Sequence, residues 1–280
     1  MMKVNLFALG LVALIQLPSF AQDQKVNPKH INYFTSPSVE TKEVKIETQD
    51  AVAMMEFVKF KMKITNNTND YILYKPKESK FKLANTDFSP EDKKTIFIQP
   101  LDRESKVIDM KAPAKNAHVD AFKYEVNGLY RIPVDAPVTE APNFKLPAST
   151  NDFTAGNFKV ELVNLKKETG ETAAKFKVTY IGDGVGLVEP KKISAYGKNH
   201  KNSNELTVAN DKKSGGIILY KGESETFTAT FHMEGKMVDM QLANMEIIWK
   251  DTFKESKIIK LDGTSLDFTV DPGLTAGKNK

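Results

Sequence analysis

His232 and Glu234 stand two residues apart in a stretch where apolar and polar residues alternate, so both side chains leave the same face of a strand. That geometry suits part of a metal-ligand set. A zinc centre of the deaminase type also needs two cysteines, and none occurs among the 280 residues. His30, His118 and His200 lie at no ligand-like spacing from one another or from His232. The alternation itself assigns His232 and Glu234 to a solvated strand face.

Other motifs read the same way. Gly182-Asp183-Gly184-Val185-Gly186 looks like a phosphate loop, but such a loop must open a helix. Leu187-Val188-Glu189-Pro190 follows instead, which is strand-like and ends in proline, so a turn between strands is expected. Asp102 with Glu104 and Glu223 with Glu225 are paired carboxylates in polar turns. A glycosidase needs two carboxyls about 5–9 Å apart across a cleft. The Asn66-Asn67-Thr68-Asn69-Asp70 turn offers oxygen ligands for calcium without EF-hand spacing. Its Asn66-Asn67-Thr68 is also a glycosylation sequon. No Gly-x-Ser-x-Gly elbow, Walker loop or His-Glu-x-x-His helix occurs. The expectation is a protein that is not an enzyme, with no assigned catalytic, cofactor-binding or metal-binding residue.

The elements that must position any site are strands. Phe60, Met62 and Ile64 alternate with Lys61, Lys63 and Thr65, and Phe227, Ala229 and Phe231 alternate with Thr228, Thr230 and His232. This is the period of half-buried antiparallel strands. Further strands are predicted at 44–48, 71–74, 80–84, 95–99, 106–110, 122–126, 129–132, 158–163, 174–181, 187–195, 217–220, 244–250, 256–261 and 265–270. Asn127-Gly128 and Asp262-Gly263 predict two-residue hairpins, since both pairs accept positive φ. Residues 51–55 suit a helix or a strand extension.

Pro133, Pro137, Pro142 and Pro147 punctuate a boundary, because proline cannot donate to a central ladder. The expected layout is a signal peptide at 1–21, a β-sandwich at 25–140, a linker at 141–155, a second β-sandwich at 156–272 and a polar tail at 273–280. Residues 143–146 suit a short edge strand. The halves echo each other. Lys59-Phe60-Lys61-Met62 recurs as Lys175-Phe176-Lys177-Val178, and Ile98, Ile108 and Tyr124 align with Leu219, Ala229 and Met245. A polar turn, 99–104 or 221–225, precedes each long alternating strand.

Phe60 to Ile64 with Asn66-Asn67-Thr68, and Tyr220-Lys221-Gly222-Glu223-Ser224 with Phe227 to Met233, resemble the strand-and-turn grammar of bacterial immunoglobulin-like sandwich domains. The resemblance covers both halves and implies an all-β chain of two tandem immunoglobulin-like antiparallel β-sandwiches. It departs from the antibody pattern, which pairs two cysteines around a tryptophan. Trp249, the single tryptophan, falls late in the second half.

Location follows from the leader. Met1-Met2-Lys3, an apolar run to Leu17, and Pro18-Ser19-Phe20-Ala21 form the three parts of a secretory signal with a cut after Ala21. No later stretch has the roughly 20 apolar residues of a membrane helix. Without cysteine the exported chain has no disulfides, thiol chemistry or lipoprotein anchor. A periplasmic or extracellular location is expected. The 40 basic against 36 acidic side chains give a net charge of +4, too small to imply nucleic acid. Lysines cluster at Lys75/Lys77/Lys80/Lys82, Lys191/Lys192/Lys198/Lys201 and Lys212/Lys213, where acids are interspersed. Lysine on outer strand faces discourages edge-to-edge association and can also meet a polyanionic glycan.

The expected function is a binding or structural role at the cell envelope, with a protein or glycan partner met in the inter-domain groove near Pro133–Pro147. The alternative is a secreted carbohydrate-active hydrolase or an accessory domain of one.

Overall fold

The computed structural model describes residues 27, 29–112, 117–199, 202–208, 215–232 and 239–279. The leader at 1–21 lies outside them. Among the described residues the chain is all-β, made of antiparallel sheets, with one short helix at Pro272–Lys278 and two 3-10 turns at Pro76–Glu78 and Pro190–Lys192.

The alternating segments fold as their periodicity dictates. Phe57–Asn66 runs between Val44–Ala53 and Arg103–Lys111. Its Phe60, Met62 and Ile64 are buried, and Lys61 points outward. Residues 51–53 extend the first of these strands beyond a bulge between Gln49 and Val52. Opposite lies a sheet in which Ala121–Val126 runs between Lys80–Leu83 and Thr264–Thr269. Beside it, Tyr71–Tyr74 runs between Ile96–Ile98 and Leu129–Ile132. Together they enclose a first core containing Phe60, Phe81, Phe122, Tyr124 and Phe268.

The second half repeats this pairing. Thr172–Tyr180 runs between Phe158–Lys167 and Ser224–His232, and Val185–Val188 between Ile217–Leu219 and Phe253–Ser256. The second core contains Phe158, Phe176, Phe231, Trp249 and Phe253. In this half Asn202–Val208 bridges Ser194–Asn199 and Ser224–His232, fusing two sheets into one of eight strands.

The halves exchange their trailing strands. Val138–Thr139 and Phe144–Leu146 follow the first set, but pair with Phe253–Ser256 and Asn244–Ile248 of the second. Ile259–Lys260 and Thr264–Thr269 follow the second set, but pair with Leu129–Ile132 and Ala121–Val126 of the first. This corrects the expected layout in two places. The stretch 141–155 is not a free linker, since Phe144–Leu146 and Asp152–Ala155 are edge strands and Phe144, Leu146 and Ala155 enter the second core. The end of the stretch 156–272 belongs to the first core, which takes up Leu266 and Phe268.

Two turns also differ from expectation. Asn127-Gly128 and Asp262-Gly263 make no hairpin, because the strands on either side of each lie in different sheets. They are corners. The Lys75 amide donates to the Gly128 carbonyl at 2.8 Å, and a Cβ on Gly128 would stand 2.1 Å from the Lys75 oxygen. A Cβ on Gly263 would meet the Asn127 side chain at 2.3 Å. Glycine is needed for close approach at Gly128, where the neighbour is backbone.

The expected polar tail contains the helix Pro272–Lys278. Asp271 caps it, its carboxylate accepting from the Leu274 amide at 2.9 Å, with proline in the first turn. Helix and last strand hold the chain's other end. The Asn279 side chain both donates to and accepts from the backbone of Ile31, and the Asp271 amide donates to the Tyr33 carbonyl.

The exchange makes an expectation that can be checked. Phe268→Ala should cost about 3–5 kcal/mol, the usual price of emptying a buried aromatic site. Urea unfolding followed by tyrosine signal should shift to lower denaturant. Trp249, in the second core, should report the same shift, because each half completes the core of the other. A Trp249 transition that stays at the parent's denaturant concentration would show that the two cores unfold separately.

Candidate functional site

A third, smaller apolar cluster joins the halves. Tyr71, Leu73 and Ile132 come from the first, and Val185 and Leu187 from the second. Gly186, between the last two, has no room for a side chain: a Cβ there would stand 2.7 Å from the Tyr180 ring. Polar groups surround the cluster. Lys254 lies 2.9 Å from the Glu189 carboxylate and donates to the Val134 carbonyl at 3.1 Å. Ser256 Oγ donates to the Pro133 carbonyl at 2.8 Å. Lys75 stands over the Tyr130 ring at 4.6 Å and over Tyr220, from the other half, at 5.7 Å. The Tyr130 hydroxyl donates to Glu78, which pushes its pKa up to about 12.

A cleft of about 710 Å³ opens at this junction. Its inner side carries Tyr71 and Phe97, whose rings stack with centroids 4.9 Å apart. Burial, with the Glu189 carboxylate nearby, pushes the Tyr71 phenol up to about 12, so it stays a neutral hydroxyl across physiological pH. One wall is the turn from Gln99 to Asp102 with Glu104 beyond it; the other is Glu189, Pro190 and Lys191. Gly215 and Gly216 close against them. A Cβ on Gly216 would stand 2.1 Å from the Tyr71 oxygen, and one on Gly215 2.4 Å from the Gln99 amide. The arrangement offers an aromatic floor, carboxylates that accept hydrogen bonds, and one cation, all at a junction between two cores.

The structure sorts the candidates raised by the sequence. Asp102 and Glu104 line this cleft. Glu223 does not, and its carboxylate accepts from the Tyr220 amide at 2.9 Å within its own turn. The glycines at 182–186 form a corner around Tyr180, whose hydroxyl a Cβ on Gly182 would meet at 2.4 Å. In the calcium-like turn, Asn66 Oδ1 accepts from the Thr68 amide and hydroxyl, and its Nδ2 donates to the Asp70 and Gln99 carbonyls. Asp70 accepts from the Val134 amide and stands 3.4 Å from Arg131. These oxygens are committed to donors of the protein, and Asn66, at 1% exposure, has no face free for a glycan. His232 lies 3.8 Å from Glu171. Among the lysine clusters, Lys80 meets Asp87, Lys82 meets Glu125, and Lys191 lines the cleft. Glu234, His200, Lys201, Lys212, Lys213 and the Lys198 side chain lie outside the described residues.

One pair escaped the sequence reading. His30 Nδ1 and His118 Nε2 are 2.9 Å apart, one ring donating to the other, across 88 positions of sequence. Burial, and then the neighbouring His30, lower the His118 pKa, against a weaker opposing pull from Asp120.

No protein-family model matches this chain, and no curated protein matches it. Among solved structures it is similar to the C-terminal globular domain of an oligosaccharyltransferase from Pyrococcus abyssi, at 14% identity over 75% of this chain, with a TM-score of 0.16. It is also similar to red sea bream transglutaminase, at 8% identity over 82% of this chain, with a TM-score of 0.19. The alignments cover 44% and 31% of those proteins, less than half of either. Likeness at that level carries no functional argument.

The histidine pair sets a pH dependence. The folded pKa of His118 is below its unfolded value of 6.5, so its contribution is complete above that value and is lost as pH falls below it. Stability should decline between pH 7.5 and 5.5, and His118→Asn should flatten the decline. Denaturant titrations at both pH values test this. Glu47, held low by Lys63 and Lys45, gives up its share only below 4.5.

Proposed function

We propose that the two cores are two immunoglobulin-like copies of one unit, and that the chain is an exported binding protein whose junction cleft receives a protein or glycan partner. The repeated strand pairing supports the two-copy reading, since each triplet in the first half has a counterpart in the second. The leader supports export. The observation that carries the binding role is the cleft itself, with the stacked Tyr71 and Phe97 rings below acceptors from both halves.

The rival reading as a hydrolase needs one protonated and one ionised carboxyl facing each other. The carboxylate on the second wall, Glu189, is instead held by Lys254 at 2.9 Å. That arrangement suits recognition by fixed polar groups.

A test uses the mature chain from residue 22 against a glycan array and a phage-displayed random peptide library. Saturable binding to either should fall at least tenfold in the Glu104→Arg, Lys191→Glu double variant, with Tm within about 2 °C of the parent. Both side chains line the cleft and are exposed, so the fold should tolerate the exchange. Binding left intact by the double variant places recognition elsewhere and overturns the cleft reading.

A further inference from the structure

Gln99-Pro100-Leu101-Asp102 is a β-turn, closed by the Asp102 amide donating to the Gln99 carbonyl at 3.2 Å. Leu101 sits third in it with φ of 56°. That position in a turn with proline second calls for glycine, because a side chain there strains the backbone. The second half contains the matching turn. Tyr220-Lys221-Gly222-Glu223 is closed by the Glu223 amide on the Tyr220 carbonyl at 2.9 Å, and its third residue, Gly222, has φ of 83°. Both turns follow a short strand and lead into the long alternating one. One fold position therefore holds glycine in one half and a strained leucine in the other.

The backbone of the turn is held from within, the Leu101 amide donating to the Thr68 carbonyl at 3.0 Å, but no internal contact calls for a leucine side chain there. Its side chain is 68% exposed. A lone exposed leucine needs no explanation by itself. This one breaks a backbone rule that its counterpart obeys, and it lies on the wall of the junction cleft. Residues that break a local rule at a conformational cost cluster where a ligand is met.

We infer that Leu101 is the apolar lip of the cleft, and that the partner is an extended protein segment carrying an aliphatic or aromatic side chain beside a lysine or arginine. This rests on the binding role proposed for the cleft. The apolar side chain of the segment covers Leu101, and its cation meets Asp102 and Glu104 on the same wall. A polysaccharide gains little from one aliphatic side chain at a rim, whereas a peptide brings apolar groups to it.

The experiment compares the mature chain with its Leu101→Gly, Leu101→Met and Gly222→Leu variants. Leu101→Gly should raise Tm by about 2 °C or more through relief of the turn, while weakening library-selected peptides at least tenfold. Leu101→Met should keep the binding. Gly222→Leu should lower Tm and leave binding unchanged. The selected peptides should be enriched in Leu, Ile, Phe or Met next to Lys or Arg. A Leu101→Gly variant that is no more stable removes the strain premise, and one that binds peptides as well as the parent removes the lip; either overturns the inference. Glycans bound in the cleft without peptides overturn it too, while leaving the cleft reading standing. Binding of neither class overturns both.

Discussion

The Phe268 ring stacks on Phe122 at 4.3 Å, nearly parallel, and approaches Phe60 at 4.9 Å. These contacts join residues near the end of the chain to the middle of the first core, and the architecture depends on them. Residues 264–269 supply the outer strand of a sheet whose other members lie between 80 and 126. The first core is therefore incomplete until nearly the whole chain is present. Its folding must close a loop of about 140 residues before those contacts can form, and such non-local pairing is slow. The helix Pro272–Lys278 then ties down the opposite end, through Asn279 to Ile31 and Thr275 to Tyr33.

The alternation was the readable part. Phe60 to Ile64, Phe227 to Phe231 and the edge strand near 143–146 stand where period-two reasoning places them. Pairing partners were not readable, because alternating strands carry nearly interchangeable patterns and alternation sets the buried face rather than the neighbour. The two glycine turns show the limit well. Asn127-Gly128 and Asp262-Gly263 announce a backbone able to turn sharply, and they do turn. Whether the flanking strands then pair depends on the opposite layer, to which the dipeptide is blind. The helix Pro272–Lys278 was not read, because the polar residues there look like a tail.

The site was legible in fragments. The turn at 99–104 stood out by its position, and Asp102 and Glu104 by their charge. What joins them to Glu189, Pro190 and Lys191 is the apposition of Tyr71 and Leu73 with Val185 and Leu187, over 110 positions away. The left-handed backbone of Leu101 had no signal at all, since leucine is a poor choice for it. The histidine pair was hidden by its 88-residue separation. The glycines at 182–184 form the turn between strands that was expected, and glycine acts in one consistent way. At Gly182, Gly186, Gly215 and Gly216 the missing side chain makes room for a neighbouring tyrosine or glutamine, not for a phosphate.

The exchange of strands also decides what kind of cleft this is. A cleft between two units on a flexible tether must be ordered when a ligand binds, and that ordering subtracts from affinity. Here two crossings connect the halves, one through residues 133–137 and one through 257–258, and each ends in a strand bonded into the other half. The first crossing is fastened along its length, with Pro133 and Val134 accepting from Ser256 and Lys254. Opening the halves as a hinge would break paired strands on both sides and expose the Tyr71 and Leu187 faces to water. The walls of the cleft are therefore held at a fixed spacing by the same contacts that complete the two cores. The partner proposed for the cleft would find the acceptors and the aromatic floor already in register, and that rigidity is a consequence of how the chain closes on itself.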